Sequence, residues 1–211
     1  MAVQLLENWL LKEQGKLQTK YRHLNCISIV EPDILFIGDS IVEYYPLQEL
    51  FGTSKKIVNR GIRGYQTGLL LENLDAHLYG GAVDKIVLLI GTNDIGKDLP
   101  VNDALNNLEA IIQSIARDYP LTEIKLLSIL PVNEGEEYKQ TVYIRTNEKI
   151  QKWNQAYQEL ASAYMQVEFV PVFDRLTDQV GQLKKEYTTD GLHLSVTGYQ
   201  VLTKALKDYL V

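Results

Sequence analysis

Ser40, Asp190 and His193 are residue types that can together cleave an ester, and each stands where the chain could present it. Ser40 follows the apolar run Ile34-Leu35-Phe36-Ile37 through Gly38 and Asp39, and Ile41-Val42-Glu43-Tyr44-Tyr45 reads as the helical turn after it. A serine hydroxyl is a poor nucleophile at neutral pH and needs a base to take its proton during attack. The free backbone N–H groups of a helix start favour an anion at the same place. The chain has three histidines. His23 lies upstream of the first apolar run and His77 ends a helical stretch, so both read as ordinary surface or helix-end residues. His193 sits in Thr189-Asp190-Gly191-Leu192-His193-Leu194-Ser195, just before the last helical pattern. Asp190, three residues upstream, can fold back in one turn and accept the Nδ1 proton. That leaves Nε2 free toward Ser40 and stabilises an imidazolium.

A tetrahedral intermediate needs donors for its oxyanion. Candidates are the Ser40 backbone N–H, the Gly61 N–H in Asn59-Arg60-Gly61-Ile62-Arg63-Gly64, and the side-chain amide of Asn93 in Gly91-Thr92-Asn93-Asp94. One such preorganised donor is worth about 3–4 kcal/mol in a transition state. Asp39 and Asp94 are expected to brace their turns through local hydrogen bonds. Arg60 and Arg63 could meet a negative group on a substrate or form surface ion pairs. Tyr44 and Tyr65, with Tyr45, could line a pocket or its rim. The polar segment Val132–Val142 is expected to be a flexible wall of that pocket.

These residues must be carried by regular elements. Strands are expected at Ile34–Ile37, Ile57–Asn59, Ile86–Ile90, Ile124–Leu130 and Val167–Val172, each a short apolar run. Amphipathic helical patterns fill 101–119, 147–164 and 195–210, the last opened by Ser195 as N-cap. Pro46 should end one helical turn and open another over Pro46–Phe51. Apolar strands alternating with helices imply an α/β fold, a three-layer α/β/α sandwich on a five-stranded, mostly parallel sheet. Ligands in such folds sit beyond the carboxyl ends of the strands. Four of those ends would deliver Ser40, Gly61, Asn93 and the Asp190–His193 loop to one edge.

The length of 211 residues suits one domain. The N-terminal 1–30 reads as a helical extension packed on it through Val3, Leu6, Trp9, Leu10 and Leu11. Net charge is −6 with no basic cluster, which argues against nucleic acid as a partner. Cys26 is the single cysteine, so no internal disulfide can form and a thiolate metal site is not expected. No stretch reaches the roughly 20 apolar residues of a membrane span, and no leader pattern opens the chain. A cytoplasmic protein without stable membrane anchoring is expected.

Taken in order, Phe36-Ile37-Gly38-Asp39-Ser40-Ile41, Asn59-Arg60-Gly61-Ile62, Ile90-Gly91-Thr92-Asn93-Asp94 and Asp190-Gly191-Leu192-His193 resemble the four blocks of the SGNH hydrolases, the GDSL-type esterases and lipases. Ile41 stands where the family's namesake motif has Leu. The resemblance runs from Ile34 to Gly198 and is nearest to bacterial proteins similar to platelet-activating-factor acetylhydrolase subunits. It implies a flavodoxin-like topology with Ser40 as nucleophile, His193 as base, Asp190 as its orienting acid, and Ser40, Gly61 and Asn93 around the oxyanion. No metal or other cofactor is implied. The expected substrate is a small-molecule, lipid or sugar ester with a short acyl group such as acetyl. A transacylase using the same residues and a non-catalytic flavodoxin-like binding module are the alternatives, and a homodimer is compatible with the N-terminal segment.

Overall fold

The computed structural model describes residues 2–27 and 31–210. Its sheet consists of β1 (Ile34–Gly38), β2 (Ile57–Gly61), β3 (Lys85–Leu89), β4 (Glu123–Leu127) and β5 (Val167–Val170). All neighbours pair in parallel in the order β2-β1-β3-β4-β5. This is the flavodoxin-like strand order, whose switch point lies between β1 and β3. The register aligns Gly38 with Gly61 on one side and with Leu89 on the other. Three strands therefore end at one level.

Alternate residues of each strand point to opposite faces, and both faces are covered. Leu35, Ile37, Ile86, Leu88, Ile124 and Leu126 enter one core. The helices on that side are α1 (Ala2–Ile27), α4 (Thr67–Glu72), α5 (Leu74–His77), α7 (Val101–Asp118) and α9 (Asn147–Ser162). Ile34, Phe36, Val87, Leu89, Leu127 and Val170 enter the other. It is covered by α2 (Ser40–Glu43), α3 (Leu47–Phe51), α10 (Phe173–Leu176) and α11 (Val196–Leu210). The short helices α6 (Thr92–Gly96) and α8 (Lys139–Val142) lie beyond the strand ends. The α11 N-terminus is capped by Ser195, whose Oγ accepts the Gly198 N–H at 3.2 Å.

Three expectations need correction, the third of which concerns His77. The fourth apolar run continues to Leu130, but the strand stops at Leu127. Beyond it, Asn154 takes the place of a neighbouring strand. Its Oδ1 accepts the Ile129 N–H at 2.7 Å and its Nδ2 donates to the Ile129 carbonyl at 2.9 Å. Asn147 does the same for Val132, at 2.9 and 2.8 Å. Buried backbone there is satisfied by amide side chains, which leave the same apolar signature in the run itself. The second correction concerns α1. Leu10, Gln14, Leu17, Tyr21 and Leu24 face the domain, while Trp9 is 50% exposed and Leu11 is exposed. The side chains of Val3 and Leu6 lie outside the described residues. The inward stripe was hidden because it is partly polar: Gln14 Nε2 donates to the Arg63 carbonyl at 2.9 Å, and Gln18 Nε2 to the Tyr65 hydroxyl at 2.6 Å.

His77 ends α5 but is fully buried, not a surface residue. A carbonyl can only accept, so its Nδ1–H must donate to the Arg60 carbonyl, at 2.6 Å. Nε2 is then left without a partner among the described residues. Burial pushes the imidazole pKa down to about 4. The unfolded chain therefore binds a proton below about 6.5 that the native state refuses, so stability falls with pH from about 6.5 to about 4. The loss is on the order of 3 kcal/mol. Thermal melts of wild type and His77→Gln across pH 4–7 should show a steeper acid loss in the wild type; parallel curves would refute this account.

Candidate active site

Asp39 shapes the junction of β1 and α2. As N-cap it accepts the Ile41 N–H at 2.9 Å through Oδ1. Gly38 precedes it with φ +153°, and a Cβ there would collide with the Leu89 carbonyl. The chain can thus turn tightly between β2 and β3 and place Ser40 at the first helical position. Burial pushes the Asp39 carboxyl up to about 7, against the Ile41 hydrogen bond and the positive field of His193.

The loop from Thr188 to Ser195 holds His193. Thr188 and Leu194 form an antiparallel bridge, and both the Thr189 N–H and the Thr188 hydroxyl donate to the His193 carbonyl. The Asn133 N–H donates to the Gly191 carbonyl at 2.8 Å. Following this loop, α11 is tied to α2 by the Tyr199 hydroxyl, which donates to the Ile41 carbonyl at 2.7 Å. The result is a chain of contacts. Ser40 Oγ lies 2.9 Å from His193 Nε2, and His193 Nδ1 lies 2.8 Å from Asp190 Oδ2. The other Asp190 oxygen accepts the backbone N–H groups of Leu192 and His193. Burial alone would raise the Asp190 pKa, but the His193 ring, these amide donors and the imidazole's field outweigh it and hold the carboxyl down to about 2. A serine, a base and an ionised acid stand in line, which is the arrangement that general-base attack needs.

Asn93 comes to the same edge at the start of α6. Its Nδ2 donates to the Tyr65 carbonyl at 2.9 Å, which leaves its second amide hydrogen free. Gly61 stands differently. Its N–H already donates to Asn59 Oδ1 at 2.9 Å, and a Cβ at this position would run into the backbone of Val42 and Glu43. Gly61 therefore lets α2 lie directly against β2, and its amide is engaged. Three residues on, Gly64 is left-handed at φ +74°, and its N–H meets no acceptor among the described residues.

The candidate pocket residues divide. Tyr44 is 45% exposed, its ring 5.5 Å from the His193 ring, with the Arg63 guanidinium 5.5 Å away. Arg63 is held by Glu43 through its side chain and its backbone N–H, so its charge is already paired. Arg60 is buried between the rings of Tyr21 and Tyr79 and bonded to Asn25, neither a surface ion pair nor an accessible anion site. Tyr65 is fully buried, so it contributes its carbonyl to Asn93 and no pocket wall. Asp94 accepts the Thr67 N–H and hydroxyl and braces α4. The 132–142 segment is anchored where Val132 and Asn133 are buried and where Tyr138 packs on Gly191, with residues 136, 137, 139 and 140 exposed. Asn59, Glu43 and Arg145 also shape the site. Asn59 lies within a quoted block and holds the Gly61 N–H two residues on, whereas Glu43 and Arg145 carry no local motif, since their partners at the site, Arg63 and Thr92 with Asn93, are distant in sequence.

Residues 36–201 match the profile of the GDSL-like Lipase/Acylhydrolase family. The chain belongs to this family. It is an enzyme of the ester-hydrolysing class. This GDSL-like hydrolase is 89% identical to a Streptococcus pneumoniae protein of known structure assigned provisionally as a platelet activating factor, with a TM-score of 0.99 over 100% of this chain and 99% of the other. It is 28% identical to the platelet-activating factor acetylhydrolase IB subunit alpha2 of Rattus norvegicus over 86% of this chain and 77% of that protein. It is also 28% identical to the N-acylneuraminate cytidylyltransferase of Escherichia coli, where the match covers 83% of this chain but spans 40% of the longer relative. No described helix is long and apolar enough to cross a membrane.

The packing at Gly61 makes a test. Gly61→Ala should lower stability by about 3 kcal/mol or more, since the added methyl meets backbone that cannot move aside. Chemical denaturation would measure it, and a variant as stable as the wild type would contradict a close-approach role.

Proposed function

We propose that this hydrolase is a serine esterase for short-acyl esters that works through an acyl-enzyme. The observation that carries the reading is the unbroken contact chain Ser40 Oγ–His193–Asp190, at 2.9 and 2.8 Å, with the Asn93 amide at the same strand edge. Ser40 attacks the ester carbonyl while His193 Nε2 takes its proton. Asp190 stays ionised and steadies the imidazolium. The oxyanion is received by the Ser40 N–H, the second Asn93 Nδ2 hydrogen and the Gly64 N–H, which replaces the engaged Gly61 amide. His193 returns its proton to the departing alkoxide, and water repeats the cycle on the acyl-enzyme.

A short acyl group is supported by the acetylhydrolase among the relatives. The half-exposed face of Tyr44 beside His193 offers the alcohol portion an apolar surface near the atom that must protonate it.

Ser40→Ala should reduce p-nitrophenyl acetate turnover by about 10⁴-fold or more at unchanged melting temperature. Asp190→Asn should reduce kcat by about 10⁴-fold. Covalent labelling of Ser40 by a fluorophosphonate, read by mass spectrometry, should occur in the wild type and be absent in Ser40→Ala. Undiminished turnover in that variant would overturn the reading. Across p-nitrophenyl esters from acetate to palmitate, kcat/KM should be highest for acetate; a maximum at long chains would refute the short-acyl assignment.

A further inference from the structure

Behind Asn93, on the side away from its free amide hydrogen, lies an arginine from a distant part of the chain. Arg145 is buried, and its Nε donates to the Thr92 carbonyl at 2.9 Å. Its Nη1 donates to the carbonyls of Thr141 and Val142 at 3.3 and 3.2 Å, and its Nη2 reaches Asn93 Oδ1 at 3.4 Å. Among the described residues it takes part in no ion pair. A buried guanidinium without a paired carboxylate is costly and keeps its charge.

The backbone that delivers it is strained. Tyr143 has φ +57° and ψ −112°, and the Arg145 N–H donates to the Val142 carbonyl at 3.1 Å. These are the marks of a type II′ turn with tyrosine at the position glycine normally takes. Such strain persists only where the surroundings impose it, and it gathers at working sites. The other side of the guanidinium is also shaped for it. Gly96 sits where a Cβ would collide with the Arg145 guanidinium, although its backbone is ordinary helix.

We propose that Arg145 is a positioning residue for the oxyanion site, holding Asn93 in a single amide orientation and placing a positive charge behind it. The inference rests on the serine-esterase reading for its kinetic consequence but not for its geometry. Asn93 is held between a group that can only donate and a group that can only accept. Arg145 requires oxygen on its side, and the Tyr65 carbonyl requires nitrogen on the other. A flipped amide would set like against like at both ends, so the second Nδ2 hydrogen is locked toward the reaction edge. As negative charge gathers on the substrate oxygen, that hydrogen bond strengthens, and the guanidinium polarises the same amide from behind.

The test uses Arg145→Met, Arg145→Lys and Gly96→Ala, each alone and with Asn93→Ala. The glycine variant pushes the guanidinium away without removing it. With p-nitrophenyl acetate, Arg145→Met should lower kcat about 30-fold and Gly96→Ala about tenfold, less than the roughly 10²–10³-fold for a deleted donor. KM should stay within about twofold, and Arg145→Lys should recover part of the loss. In the Asn93→Ala background the same changes should cost less than about threefold, because their effect runs through Asn93. Equal losses in both backgrounds would reduce Arg145 to a structural strut and overturn the proposal. Independently of turnover, the Asn93 side-chain amide pair in a ¹⁵N spectrum, assigned by its loss in Asn93→Ala, should be single and sharp in the wild type. It should shift or broaden in Arg145→Met and Gly96→Ala. An unchanged pair overturns the proposal even if the enzyme proves active, whereas a changed pair in a protein that neither hydrolyses esters nor takes a fluorophosphonate sustains it while the esterase reading falls.

Discussion

Everything at the reaction edge depends on how closely three parallel strands end together. Gly38 is aligned with Gly61 and Leu89, and there is no room for a side chain between its backbone and the Leu89 carbonyl. This crowding forces the sharp exit of β1, and the Asp39 cap converts the exit directly into the first turn of α2. Gly61 extends the same constraint to β2, where α2 lies on its backbone. The Ser40 hydroxyl is thus set by backbone packing, which is stiffer than any side-chain contact.

Around this rigid centre the remaining groups are placed by polar contacts made in the interior. Asp190 and His193 ride on a loop stitched to itself and, through α11 and Tyr199, to the helix that bears Ser40. Asn93 is held by Tyr65 and Arg145. Asp94 anchors α4, and the carbonyl side of the β2 exit is gripped by His77 and Tyr21. Buried polar networks of this kind are costly when incomplete and highly directional when complete. A catalytic edge gains from that directionality, because its donors and acceptors must hold their angles as charge moves.

The strand pattern was readable because parallel strands buried on both faces are runs of Ile, Leu, Val and Phe, and the helices between them show a 3.6-residue period. The Ser40, Asn93 and Asp190–His193 segments were readable too, because strand exits and pre-helical loops carry glycine, Asp and Asn, and those residues stand out against apolar neighbours. Arg145 was not readable. It follows a polar stretch with no motif, and the site groups it touches, Thr92 and Asn93, lie about fifty positions upstream. The role of Gly61 is not legible for a related reason: a glycine in a loop motif signals close approach, but not whether the approaching group is a ligand or another backbone. The inward face of α1 is not legible in the sequence because Gln14 and Gln18 occupy it and interrupt the apolar stripe.

By itself, then, the order of residues determined the layer architecture and the chemical types brought to the sheet edge, since both follow from local periodicity and from the residues that turns and caps require. Tertiary structure alone decided which amides remain free, which arginines are buried and which histidine lies in the core. Those properties depend on whether a partner from a distant segment arrives within hydrogen-bond distance and excludes water, and nothing local in the chain encodes that arrival.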